Sequence, residues 1–265
     1  MRFRSKLVLV VSLALLAAGC KSGGVKEDPL MALSAEEALT EGKALMELGK
    51  YRRAQEYLTH AFEIEPNSAS GREGLLLAAD ALFLDGGTTN FIKAESKYRD
   101  FLNRFPTSDQ APYVQFQMAN CLIKRMRKPD RDQSISLQAL AALHEVLQLY
   151  PDSEYAGEAR EQIVLVRQNL AEHEFVVGYF NYRFKLYPAA VERFRTVLEE
   201  YPETTGLDRA LFHLGMAQLK LNAWGEAAAA FDRLRAEYPD SPFVQKVPQD
   251  RLDAGAAEQP EEPVE

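Results

Sequence analysis

Apolar residues recur at helical spacing along this chain, and no alternating strand pattern or heptad array competes with that period. The clearest stretch runs from residue 153 to residue 186, where no proline intervenes. Its apolar positions are Ala159, Ile163, Val166, Leu170, Phe175 and Val177. We therefore predict an all-α fold with one unusually long helix of roughly 30 residues, which would measure about 45 Å at 1.5 Å per residue.

A short pattern occurs five times along the chain. Similar proline segments, such as EPNS and YPDS, begin at Glu65, Phe105, Tyr150, Tyr201 and Tyr238. Twelve residues before each proline stands an alanine: Ala54, Ala94, Ala139, Ala190 and Ala227. Four residues after each alanine stands a large apolar or aromatic residue: Leu58, Tyr98, Leu143, Phe194 and Phe231. In three repeats a glycine precedes the alanine by twelve residues: Gly42, Gly178 and Gly215.

This spacing is that of the tetratricopeptide repeat, in which two helices, A and B, form one unit of about 34 residues. The small residues let helices A and B approach closely, the aromatic residue fills the space beside them, and the proline ends helix B. Insertions in the second and third repeats, GGTTN and RMRKPDRDQS, fall between helices and leave the pairing intact. We predict a tetratricopeptide solenoid of about five helix pairs, with the long helix leading into repeat four.

The amino terminus reads as an export signal, residues 1–19. Three basic residues precede an apolar run of about ten residues, roughly half of what a bilayer-spanning helix needs. The sequence AAGC ending at Cys20 then resembles a bacterial lipobox, so we expect cleavage before Cys20 and acylation of this residue, because two or three acyl chains hold a protein at a membrane stably. The residue after the cysteine, Lys21, differs from the aspartate that is associated with retention of lipoproteins in the inner membrane, so we expect the outer membrane. The alternative is a signal without lipidation and a chance cysteine.

The remaining chain divides into four predicted parts. Residues 20–33 are a flexible tether, residues 34–151 hold repeats one to three, and residues 152–246 hold repeats four and five. Residues 247–265 are an acidic tail with too few large apolar residues to fold, and we expect it to be disordered.

Charge and cysteine content exclude some functions. Removal of the three basic residues of the signal from 31 leaves 28 Lys and Arg against 39 Asp and Glu, a net charge of about −11, which argues against nucleic acid as a partner. After lipidation only Cys121 remains as a thiol, so the exported protein has no intramolecular disulfide. Its apolar helical context predicts a buried structural cysteine.

The sequence contains no convergent catalytic motif. The four histidines, His60, His144, His173 and His213, are scattered, and no HExxH, G-x-S-x-G, phosphate-binding loop or dinucleotide fingerprint occurs. We therefore expect no catalytic residue, no cofactor and no metal ion. The alternative from another class, an envelope enzyme, would need a clustered acid, base or metal site.

A basic cluster lies in the third-repeat insertion, which the repeat itself does not require. It consists of Lys124, Arg125, Arg127, Lys128 and Arg131. One interpretation is a solvated loop; the other is a surface for an acidic partner or for lipid headgroups.

Taken together, the lipobox, the repeats, the long helix, RKPDRDQS from Arg127 and the block from Leu170 to Phe194 resemble the BamD family. These are lipoproteins of the β-barrel assembly machinery in Gram-negative outer membranes. The resemblance implies a periplasmic scaffold on the inner leaflet of the outer membrane. Such a scaffold joins the POTRA region of BamA and other assembly-machinery lipoproteins and hands on unfolded barrel precursors.

The resemblance also implies site residues. Repeats one to three would face substrate, and exposed helix-A positions of the first repeat, Leu39, Lys43 and Met46, are the candidates for the substrate groove. Repeats four and five would hold the complex together, with Arg193 as the candidate contact to BamA; the competing interpretation of Arg193 is an ion pair within its own helix, for example with Glu199. The alternative function is another lipidated repeat adaptor, such as a pilus secretin pilotin or an organiser of envelope hydrolases.

Overall fold

A computed structural model describes residues 29–258 of the protein, and this part of the chain contains α-helices and no β-strand. The helices are α1 Ala35–Glu47, α2 Tyr51–Ile64, α3 Ala69–Asp85, α4 Thr88–Arg104, α5 Ala111–Ile123, α6 Ser134–Leu149, α7 Tyr155–Arg183, α8 Tyr187–Glu200, α9 Leu207–Lys220, α10 Trp224–Glu237 and α11 Gln249–Glu258. Short 3-10 turns occupy Pro29–Ala32 and Val244–Lys246. The all-α prediction is confirmed.

The first ten helices form five consecutive pairs, α1 with α2 through α9 with α10. Each helix packs mainly against its neighbours along the chain, as in a solenoid whose units contact only adjacent units. The five predicted helix pairs are therefore present, with α1, α3, α5, α7 and α9 as the A helices.

The five alanines of the repeat and the five large residues that follow them lie in the tightest part of this packing, because none of the ten exposes any surface. The glycines mark where helices A and B nearly touch. A Cβ atom at Gly178 would lie 2.9 Å from Cε1 of Phe194, and one at Gly215 would lie 2.6 Å from Cζ of Phe231. These distances are shorter than van der Waals contact, so only glycine fits.

Each of the five B helices, α2, α4, α6, α8 and α10, ends two residues before the proline of its repeat. The ring of proline disfavours the helical conformation of the preceding residue, so the chain leaves the helix there. The proline positions in the sequence therefore set the length of every B helix.

Helix α7 confirms the predicted long helix, since it has 29 residues. Its first half, through Val166 and Leu170, belongs to the apolar cluster of α5 and α6, whereas Phe175 belongs to the cluster of α8, α9 and α10. One uninterrupted helix therefore joins the amino-terminal and carboxy-terminal repeats, and no flexible linker separates them.

The expectation of a disordered tail from residue 247 is wrong for Gln249–Glu258, which form α11. Leu252 is buried in the core of the fifth repeat, and Gly255 lies so close to the ring of Trp224 that a Cβ atom would clash. One leucine and several small residues are sufficient to dock α11, because α10 already presents an apolar surface to it. The signal, Cys20, most of the predicted tether and residues 259–265 lie outside the described residues, although the end of that tether forms the turn Pro29–Ala32.

The close approach of α7 and α8 can be tested with two glycines of α7. Gly178→Leu should lower the free energy of unfolding by about 1–3 kcal/mol, because the side chain overpacks against Phe194. The control is Gly157, which has open space at its Cβ position, so that Gly157→Ala should stabilise the helix by up to about 1 kcal/mol. Urea unfolding measures both. If Gly178→Leu unfolds like the wild type, the repeat register is wrong.

Candidate functional site

A cavity of about 510 Å³ opens where repeats two and three meet the start of α7. It is lined by one stripe of α3 and by single residues of the neighbouring segments. The lining residues are Ala69, Arg72, Glu73, Leu76, Leu77, Asp80, Phe101, Ser108, Gln110, Tyr113 and Tyr155. The α3 residues recur every three or four positions and so share one face, while the opposite face of α3 packs into the solenoid.

Asp80 is the acidic group inside this cavity. Its Oδ1 accepts hydrogen bonds from the hydroxyl groups of Tyr98 at 2.6 Å and of Tyr113 at 2.9 Å. Burial raises the pKa of Asp80, and the two tyrosine hydrogen bonds oppose that rise. Burial, with the charge of Asp80, raises the pKa of both tyrosines well above the usual range, so the hydroxyl groups stay protonated and remain donors.

Aromatic rings form one wall of the cavity. The rings of Tyr113 and Tyr155 lie 5.7 Å apart, and Tyr155 also stacks on Phe116 at 5.6 Å. Such rings offer apolar surface together with faces that attract cations. The cavity is therefore amphipathic, with aromatic walls beside the carboxyl group of Asp80.

Two further charged groups line the cavity. Glu73 pairs with Lys43 of α1 at 2.6 Å, and the guanidinium group of Arg72 lies over the ring of Phe105 at 5.8 Å. Phe105 itself is not among the residues that line the cavity, whereas Arg72 is. This combination of aromatic walls and charged groups suits the binding of an extended peptide segment.

The three predicted groove residues of α1 differ in their exposure to solvent. The expectation that Leu39 is exposed is wrong: only 6% of it is accessible, because it packs with Leu58 in the first-repeat core. Met46 is half-buried in the same core. Lys43 is partly exposed and reaches Glu73, which places it at the edge of the cavity. A substrate role for Lys43 and Met46 stays a prediction.

The backbone of the basic insertion is held by hydrogen bonds from side chains outside the cluster, while most of its cationic side chains are exposed. Gln133 donates to the backbone oxygens of Lys128 and Arg131 at 2.9 Å each, and His173 Nδ1 of α7 lies 2.6 Å from the backbone oxygen of Pro129. Arg125 is not available to a partner, since it pairs with Glu95 at 2.5 Å and both side chains are only 15% exposed. The exposed cations are Lys124, Arg127, Lys128 and Arg131. A partner or lipid contact through these four stays a prediction.

Arg193 makes an ion pair between helices. Its Nη1 lies 2.7 Å from Oε2 of Glu174 on α7, so the interpretation of a pair within α8 is wrong. Sequence spacing missed this contact because Glu174 is nineteen residues away and belongs to another helix. The Arg193 side chain is 45% exposed. Contact with BamA through Arg193 stays a prediction.

No feature for metal binding or redox chemistry is evident in this part of the chain. Among residues 29–258, no group of three or more His, Cys, Asp or Glu side chains is placed to hold a metal ion. Cys121 is fully buried, and burial raises its pKa to about 12, which confirms a structural thiol. None of the described helices is long and apolar enough to cross a bilayer.

Sequence reasoning missed the cavity residues Asp80, Tyr113 and Tyr155. The signal that could have found them was Asp80 itself, a lone acidic residue within the apolar run LLLAADALFL of α3. A carboxyl group in such a run is buried, and a buried carboxyl group is a candidate for a binding site.

Comparison with known proteins identifies a family that matches most of this chain. The family model YfiO, described as "Outer membrane lipoprotein", matches residues 31–223, and a tetratricopeptide repeat model matches residues 209–241. The chain is 29% identical over 222 residues to "Outer membrane protein assembly factor BamD" of Caulobacter vibrioides, covering 83% of this chain and 72% of the relative. It is 25% identical over 241 residues to the protein of the same name from Rickettsia prowazekii, covering 91% and 94%. The solved "TPR2AB-domain:pHSP90-complex of yeast Sti1" matches with a TM-score of 0.42 and 15% identity, covering 84% and 83%.

Proposed function

Since the chain belongs to the BamD (YfiO) family of outer membrane lipoproteins, we propose that it is a non-enzymatic outer-membrane protein assembly factor. The observation that carries this proposal is the family match over residues 31–223, together with relatives named as assembly factors over most of their length. Those names favour this role over a pilotin or an organiser of envelope hydrolases. The solenoid agrees with it, because stacked helix pairs bind partners on an extended surface.

The proposed location is the periplasmic face of the outer membrane, with Cys20 as the lipid attachment site. The lipobox and the family description support this placement. In cells labelled with a fatty acid, Cys20→Ala should lose the label and remain an uncleaved precursor. The matched control is Cys121→Ala, which removes the other cysteine and should keep the label. Label retained on Cys20→Ala would overturn the assignment.

The proposed substrates are unfolded outer-membrane β-barrel proteins, which bind as extended segments along repeats one to three. The cavity beside α3 supports this role, because its aromatic walls and its open mouth suit an alternating apolar and polar peptide. Lys43 lies at the edge of the same cavity through its pair with Glu73.

A photo-crosslinking amino acid tests the position of the substrate. Placed at Gln110, in the cavity, or at Lys43, it should capture carboxy-terminal segments of unfolded barrel proteins. Placed at Gln138, an exposed position of α6 that does not line the cavity, it should capture several-fold less. Equal capture from Gln110 and Gln138 would contradict the proposed substrate surface.

The proposed scaffold contact joins repeats four and five to the POTRA region of BamA, with Arg193 as the charged group on this side and other assembly-machinery lipoproteins as further partners. The planar guanidinium group suits a carboxylate across an interface, and nearly half of the side chain is exposed. Its pair with Glu174 means that charge reversal would also place two carboxylates together within the chain, so a neutral variant is the cleaner test.

Two single variants separate an interface role from a purely internal one. Arg193→Gln and Glu174→Gln both remove the ion pair, and each should cost the fold about 1 kcal/mol or less. Only Arg193→Gln should weaken co-purification of BamA, because Glu174→Gln keeps the positive charge. If both variants retain BamA at the wild-type level in moderate salt, Arg193 is not part of the interface.

A further inference from the structure

Asp80 is a carboxyl group that lines a cavity without a cationic partner among the described residues. Within the same part of the chain, its hydrogen bonds come from the hydroxyl groups of Tyr98 and Tyr113, and both end on Oδ1. Neutral hydroxyl donors orient a carboxylate but do not neutralise it. Burial of an ionised carboxylate costs free energy, and a cation that reaches the carboxylate offsets this cost.

The other charged groups of the cavity do not supply that cation. Lys43 pairs with Glu73, and the guanidinium group of Arg72 lies over the ring of Phe105 and makes no ion pair with Asp80. The negative charge of Glu73 is therefore balanced by Lys43, whereas the carboxyl group of Asp80 has no cation beside it among residues 29–258. The cavity accordingly holds one uncompensated negative group at the end of an aromatic-lined space.

The rings around Asp80 favour the same ligand charge. Tyr113 donates to Asp80 and also forms part of the aromatic wall, 5.7 Å from the ring of Tyr155. The faces of such rings attract a lysine ammonium or an arginine guanidinium, and their edges pack against its aliphatic stem. A volume of about 510 Å³ accommodates a long side chain together with part of the backbone that carries it.

From this juxtaposition we propose that the cavity binds the cationic side chain of a lysine or an arginine in the bound peptide, with Asp80 as its anionic partner and Tyr113 and Tyr155 as its aromatic walls. The inference rests on the proposed binding of unfolded precursors and adds a charge preference to it. An acidic side chain at the same point is disfavoured, because it would meet the carboxylate of Asp80.

The test uses the full lipidated chain in detergent and fluorescent ten-residue peptides taken from the carboxy terminus of a barrel protein. In each peptide one interior position carries lysine, arginine, norleucine, acetyl-lysine or glutamate. All other side chains are uncharged, and the termini are the same in every peptide. At one position, lysine and arginine should bind about tenfold more tightly than norleucine, which has a similar length without the charge. Acetyl-lysine should behave like norleucine, and glutamate should bind most weakly.

The variant Asp80→Asn should reduce the lysine preference to less than twofold, since the amide still accepts hydrogen bonds from the tyrosines but carries no charge. The matched control is Asp85→Asn on the same helix, because Asp85 is hydrogen-bonded to Asn90 and does not line the cavity. This control should leave the preference unchanged. If Asp80→Asn fails to fold, the comparison of lysine with norleucine on the wild-type chain still tests the charge preference by itself.

Three results would contradict different parts of the proposal. Binding of all peptides with equal affinity overturns the charge preference and leaves precursor binding intact. A lysine preference that survives in Asp80→Asn overturns the role of Asp80. Absence of binding by every peptide overturns both the charge preference and the proposed substrate surface.

Discussion

The close approach of helix A to helix B within each repeat holds the solenoid together. At that contact an alanine with no exposed surface faces the partner helix, and one turn later a large residue fills the adjoining space. Where the A helix has glycine, as at Gly178 and Gly215, even a Cβ atom would meet the aromatic ring of helix B. The pairing is fixed by this steric fit, so loops between helices can lengthen without changing it.

The same constraint determines where a ligand can bind. One face of each A helix packs against its own B helix and the neighbouring repeat, and the other face is accessible to solvent. In α3 that open face carries three apolar and three charged residues, among them Asp80, and the segments around Tyr113 and Tyr155 enclose it as a cavity. Because α7 runs without a break from the cluster of repeat three into that of repeat four, the cavity and the surface around Arg193 belong to one continuous scaffold.

Most of the helical architecture could be predicted from the sequence, because alanine, glycine and proline act locally. The proline of each repeat sets the end of a B helix two residues earlier, and the absence of proline after Ser153 predicts α7. The prediction from composition was wrong for α11. A single leucine holds this helix in place because it packs against an apolar surface that α8, α9 and α10 already form.

The candidate site and the ion pairs between helices were harder to predict, because they depend on contacts between residues far apart in sequence. The hydrogen bond from Tyr113 to Asp80 spans 33 residues, and the pair between Arg125 and Glu95 spans 30. Periodicity shows which residues share a helix but not which neighbouring helix they meet. Leu39 illustrates the same limit within a helix, since the repeat register did not reveal that its side chain points into the core.

We propose that the cavity between repeats two and three holds the unfolded precursor. Amide hydrogen exchange of the full chain, with and without an unfolded β-barrel protein, measures whether this part of the chain becomes protected. We predict slower exchange in α3 and in residues 108–117, with no change when the same barrel protein is added already folded. Protection confined to α8, α9 and α10, or no protection anywhere, would show that the precursor does not bind in this cavity.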